Sequence, residues 1–178
     1  MIADADGRVD AARYVASANC DERPAGVAIT LLLIHNISLP PGEFGGEGIE
    51  RLFTNALDCA AHPYYRALAG TRVSAHFLVR RTGELLQFVP CTLRAWHAGD
   101  SAWRGRSRCN DFSIGIELEG TDDLPYTEAQ YGVLAELVRA LRAAYPIADI
   151  VGHSDVAPAR KTDPGPSFDW QRFRSLIA

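Results

Sequence analysis

A chain of 178 residues, 47% hydrophobic and 22% charged, is long enough for one globular domain with an ample core and too apolar for a disordered segment. Its formal charge of -4 argues against a general nucleic-acid binder, leaving room for a local basic pocket and a small polar ligand. No run approaches the roughly 18 apolar residues of a membrane span.

Residues 1–26 are polar and without a clear period, and are read as a segment packing on the main domain, as a short edge strand or as a wrap. They are acidic and lack a continuous apolar stretch, so no export signal is expected and the protein is placed in the cytoplasm. Cys20, Cys59, Cys91 and Cys109 are too widely spaced for a CxxC site and are read as free thiols.

From residue 27 onward the pattern is that of a single domain. Val27 to Ile34 is apolar on both parities, as expected for a central strand buried on both faces, with His35 held at its end. A long Pro- and Gly-rich loop, residues 36–48, follows. Ile49, Leu52, Phe53 and Leu57 have helical spacing, and His62-Pro63 opens another helical piece in which His62 is a capping or surface residue.

Ala75 to Arg81 and Glu84 to Val89, joined at Thr82-Gly83, predict a hairpin, with His76 a buried, hydrogen-bonded histidine. Trp96 and His97 lie in a loop where an aromatic ring can stack on a sugar or close the core. Arg104, Arg106 and Arg108 alternate in a basic loop that is either solvated or presented to carboxylates.

Phe112 to Glu119 alternates cleanly. Ser113 and Gly115 leave space beside Glu117, which faces either a cleft or solvent. Thr127 to Tyr145 predicts a helix with a Thr127–Gln130 capping box, ended by Pro146. A short strand, residues 147–151, then leads into VGHSDVAPARKTDPG, and a terminal helix carries Trp170, Phe173 and Ile177. Alternating strands and helices predict an α/β fold, a central mixed β-sheet flanked by α-helices.

The segment 151–165 carries the chemistry. Pro158 and Pro164, with Pro166 just beyond, predict a loop. His153 and Asp163 are zinc-ligand types, and a hydrolytic zinc site normally takes three protein ligands and leaves one position open. His35 is the best candidate for the third ligand, and Lys161 places a long cation within reach of the same cavity. A satisfied polar pair is the competing reading of His153 and Asp163.

The combination IHNISLPPGEFGG, RVSAHFLVRR, RAWHAG, RCNDFSIGIELEGTD and GHSDVAPARKTDPGP resembles the zinc N-acetylmuramoyl-L-alanine amidase family, at its cytoplasmic cell-wall-recycling branch, over residues 27–176. The resemblance implies the fold shared with peptidoglycan recognition proteins. It implies zinc as cofactor on His35, His153 and Asp163, catalytic roles for Glu117 and Lys161, and substrate contacts from Asn36, Arg72, Ala95, Trp96 and Arg108. It also implies an anhydromuropeptide substrate, with no nucleic acid, membrane or obligate protein partner, and a bearing on β-lactamase induction where that system exists. A non-catalytic muropeptide-binding module and an amidase of intact peptidoglycan are the alternatives.

Overall fold

The computed structural model describes residues 1–178. In chain order the strands are β1 (Arg13–Tyr14), β2 (Cys20–Glu22), β3 (Leu31–Ile37), β4 (Phe77–Val79), β5 (Leu85–Gln87), β6 (Leu93–Ala95), β7 (Ala102–Trp103), β8 (Arg106–Ser107), β9 (Ser113–Glu119) and β10 (Asp149–Gly152). The helices are α1 (Gly48–Phe53), α2 (Pro63–Arg66), α3 (Glu128–Ala144), α4 (His153–Val156) and α5 (Trp170–Leu176). Six strands form one sheet in the order β1-β5-β4-β9-β3-β10. The β4–β5 hairpin is its antiparallel pair and every other pairing is parallel, so the expected mixed sheet is what forms.

The side-chain alternation of the central strands assigns their two faces. On one, Leu32, Ile34, Ile114 and Ile116 pack against Leu134, Leu137 and Val138 of α3 and Phe173 of α5. On the other, Leu78 and Leu86 meet Ile49, Leu52 and Phe53 of α1, while Leu31 and Leu33 meet Ala98, Cys109 and Val156. His35 continues the parity of Leu31 and Leu33. The functional face therefore lies opposite α3, between two separate apolar clusters.

The central strand begins later than its apolar run predicts. Residues 27–30 lie outside β3 although Ile29 is buried, because the partner strand β9 begins only at Ser113, opposite Leu31. β9 continues to Glu119, so β3 continues to Ile37, and His35 sits inside the strand rather than at its end. The 151–165 segment likewise departs from a plain loop. Its first four residues after β10 form the single turn α4, and Pro158, Pro164 and Pro166 all come after that turn.

Helix α3 forms as its sequence predicts. The Thr127 side chain accepts from the Gln130 backbone N–H at 3.2 Å, and the Gln130 side chain accepts from Thr127 N–H at 3.1 Å. Thr127 also donates from Oγ1 to the Arg81 carbonyl, tying the helix start to the β4–β5 hairpin. We expect Thr127→Ala to lower stability by about 1 kcal/mol in urea denaturation; an unchanged midpoint would mean the cap contributes nothing.

The N-terminal segment both edges and wraps. β1 extends the main sheet and β2 pairs antiparallel with β6. Arg23 turns inward and donates to the carbonyls of Cys91, Asn110, Asp111 and Ser113 at 2.8–3.1 Å. Burial without a carboxylate partner pushes its guanidinium pKa down to about 10. Three of those carbonyls, Asn110, Asp111 and Ser113, belong to the chain that enters β9, the strand that carries Glu117.

Candidate active site

Strand register assembles the site. β3 and β9 are parallel with His35 opposite Glu117, so the two side chains emerge side by side from one face. β10 runs parallel on the other edge of β3 with Gly152 opposite Ile34, which delivers His153 beside His35. Asp163 is brought back by its carbonyl, which accepts from Ser154 N–H at 3.0 Å. A Cβ on Gly152 would lie 2.7 Å from Pro164 Cδ, so the return of the chain requires glycine there.

The ligand-type atoms converge. His35 Nδ1 lies 2.9 Å from His153 Nδ1, and each lies 3.1 Å from Asp163 Oδ2. Ligand pairs around a tetrahedral zinc, with bonds of roughly 2.0–2.1 Å, are separated by about 3.3 Å, so a modest expansion of this triangle fits a metal ion. His153 Nε2 faces the Ala98 carbonyl at 3.1 Å, and a carbonyl can only accept. That assigns the ring proton to Nε2 and turns the Nδ1 lone pair toward Asp163. Two imidazoles and a carboxylate directed at one buried point are a donor set that suits a divalent cation.

The electrostatics agree. Burial pushes His35 down to about 4, against the opposing pull of Asp163, so the ring is neutral near pH 7. Burial alone would raise Asp163, yet the adjoining His153 and His35 imidazoles hold its carboxyl below the ordinary carboxylate range. Glu117, 8% exposed, is pushed well above its ordinary value by burial and by the charge of Asp163, with Lys161 opposing. Its Oε2 is buried without any hydrogen-bond partner. A carboxyl oxygen left free in this way is available to take or give a proton within the site.

A cavity of about 210 Å³ gathers His35, His153, Asp163, Glu117 and Lys161, with Asn36 and Trp96 also on its wall. Asn36 donates to Asp122 and to the Pro164 carbonyl, bracing the chain just beyond Asp163. A second, wholly polar cavity adjoins it through Asn36, Lys161 and Asp163. The Lys161 ammonium forms no ion pair, which leaves it free to meet a developing anion.

Other residues singled out from the sequence lie elsewhere. Arg72 is exposed on a separate cavity beside Leu52, Leu57 and Leu68. Ala95 is fully buried in the apolar cluster with Leu78 and Phe88. Arg108 is exposed and pairs with Asp111 at 3.3 Å, while Arg104 pairs with Asp149 and Arg106 lies over the Phe112 ring. His62 caps α2 by accepting from Tyr64 N–H. His76 is buried, and its Nδ1 accepts from Gly115 N–H.

One site residue escaped the sequence reading. His97 lies on the cavity wall with Nδ1 3.0 Å from His35 Nε2. The room that Gly115 leaves is occupied by its ring, because a Cβ on Gly115 would lie 2.5 Å from His97 Cγ and Nδ1. The small residue on the functional face was the signal, pointing to a filled space rather than an open one. We expect Gly115→Ala to cost about 1–3 kcal/mol through overpacking, read as a lower Tm. An unchanged Tm would show that the ring can move aside without cost.

A buried set of metal-ligand type, with an unpartnered carboxyl beside it on an α/β sheet, is the site of a hydrolase. The chain belongs to the N-acetylmuramoyl-L-alanine amidase family, which residues 25–166 match. It is 60% identical over 169 residues to the 1,6-anhydro-N-acetylmuramyl-L-alanine amidase AmpD of Salmonella typhimurium strain SL1344, covering 94% of this chain and 90% of that one. A crystal structure of a selenomethionine AmpD derivative, 58% identical, superposes with a TM-score of 0.97 and full coverage of both chains. The Escherichia coli amidase AmiD, solved with anhydro-N-acetylmuramic acid-L-Ala-D-gamma-Glu-L-Lys, is 31% identical with a TM-score of 0.63 over 87% of this chain and 60% of that one.

Proposed function

We propose that this amidase is zinc-dependent and hydrolyses the amide between the lactyl group of 1,6-anhydro-N-acetylmuramic acid and L-alanine of the stem peptide, in cytoplasmic peptidoglycan recycling. The observation that carries the reading is the convergence of His35, His153 and Asp163 in one cavity with Glu117 and Lys161. The similarity to AmpD over nearly the whole chain supports the substrate. No helix is long and apolar enough to cross a membrane.

His35, His153 and Asp163 would hold the metal, which when bound supplies Lewis acidity to a water and to the scissile carbonyl. Glu117 takes the proton of the attacking water on Oε2 and later delivers it to the alanine nitrogen as that nitrogen leaves. Lys161 meets the negative charge that develops on the carbonyl oxygen. Trp96 forms the wall against the anhydro sugar, and Asn36 orients the substrate at the cavity edge. Arg72 and Arg108, exposed outside the cavity wall, address stem-peptide carboxylates that extend beyond it. Ala95 contributes through its backbone, since its methyl group is buried.

The test is mass spectrometry of zinc-loaded protein incubated with anhydromuramyl-tripeptide and, separately, with intact peptidoglycan, each with a chelator control. Chelator-sensitive release of tripeptide from the small substrate alone is expected. Cleavage of intact peptidoglycan would overturn the restriction to recycling, and binding without cleavage would make the chain a recognition module.

A further inference from the structure

We infer that His97 is a positioning residue that holds His35 in its metal-binding tautomer, with Ser113 as the end of the relay. The inference rests on the zinc reading above. For His35 to offer the Nδ1 lone pair toward His153 and Asp163, its proton must sit on Nε2. His97 Nδ1 is the hydrogen-bond partner of that nitrogen, at 3.0 Å. It must therefore accept, which places the His97 proton on Nε2, 3.3 Å from Ser113 Oγ. A hydroxyl can accept as well as donate, so Ser113 Oγ supplies the acceptor that this His97 proton requires.

When no metal is bound, the opposite arrangement satisfies the same distances. His97 then donates from Nδ1 to His35 Nε2, and His35 Nδ1–H is shared with Asp163 and His153 at 3.1 and 2.9 Å. Passing between the two states moves one proton across each ring and rotates one hydroxyl, with no net proton gained or lost among these groups. A residue unable to accept at this position would leave the His35 Nε2–H unpaired in a buried site, a cost charged directly against metal binding.

His97 is built to stay in place. Its backbone N–H, with that of Ala98, donates to Asn110 Oδ1, at 3.2 and 2.8 Å. Its ring stands edge-on between His35, at a centroid distance of 5.0 Å, and His76, at 5.6 Å. Gly115 closes the remaining side. Four of the five histidines thus form one contiguous stack from His76 to His153.

The experiment measures the zinc dissociation constant of the whole protein by competition with a chromophoric chelator, for wild type, His97→Phe and His97→Asn. Phenylalanine keeps the ring and removes the acceptor, whereas asparagine can place its carbonyl oxygen near the position of Nδ1. The expected result is about 10–100-fold weaker zinc binding for His97→Phe, substantially restored in His97→Asn. Equal affinity of wild type and His97→Phe overturns the inference, as does equal weakening in both variants, which would mark a packing role. Imidazole ¹⁵N shifts of zinc-loaded wild type provide a test that needs no variant: protonation of His97 at Nε2 is expected, and protonation at Nδ1 overturns the relay. A wild-type protein that binds no zinc overturns the metal reading itself and takes this one with it.

Discussion

Glu117→Gln is expected, on the proposed zinc-dependent reading, to lower kcat by about two to four orders of magnitude, the usual contribution of a positioned general acid–base group, with zinc affinity and KM little changed. Glutamine keeps the size and neutrality of a protonated glutamate but cannot take a proton from water. The same substitution is not expected to destabilise the metal-free protein. Glu117 Oε2 is buried without a partner, and burial raises the group well above its ordinary value. A folded-state pKa above the unfolded one means the ionised carboxylate costs folding free energy at neutral pH, a cost relieved only as pH falls through the raised value. Removing the charge removes that cost, so Tm at pH 7 should hold or rise while turnover collapses. Turnover within tenfold of wild type would rule out Glu117 as the base, and a loss of zinc would recast it as a support for the ligands.

That pairing of lost turnover with retained stability separates a functional carboxylate from a structural one two residues away. Glu119 shares the parity of Glu117 on β9 and is also buried, yet its carboxylate is fully engaged. It accepts from Arg80 at 2.9 Å, from Gly45 N–H at 2.7 Å and from Arg81 N–H at 3.1 Å. Arg80 in turn reaches Glu50, which also pairs with Arg13 of the N-terminal segment. Alternation alone places both glutamates on one face. What distinguishes them is the set of partners that distant loops bring to each, and that set is a tertiary property.

The same distinction explains what was legible in the sequence. The mixed sheet, the hairpin and the capped helix α3 follow from local pattern and turn chemistry, which act over a few residues. The metal-type set was legible because its residues follow readable signals: an apolar strand for His35, a short strand leading to His153, and a proline-stiffened return for Asp163. The bounds of β3 were not, because Val27 to Thr30 have the composition of a strand but no partner strand to pair with. His97 was not, because its place in the loop after β6 depends on the missing Cβ of Gly115, eighteen residues later on β9. Backbone complementarity between distant segments leaves only a small residue as its trace.

On the proposed zinc-dependent reading, Lys161→Ala is expected to reduce kcat by about two to three orders of magnitude with zinc affinity unchanged, the range for loss of one donor to a developing oxyanion. The argument rests on where the lysine is and on what it lacks. It follows α4, its backbone N–H bonded to the Ala157 carbonyl at 2.9 Å, and it stands two residues before Asp163 on the wall of the site cavity. Among the ion pairs of the protein it has none, although the site contains two carboxylates, Asp163 and Glu117. An ammonium held in a half-buried cavity without a fixed partner is available to a charge that appears only during the reaction. If Lys161 instead served to bind a carboxylate of the stem peptide, the loss would fall on KM with kcat largely kept. The kcat–KM split therefore decides between the two roles, and activity near wild type in both constants would exclude either.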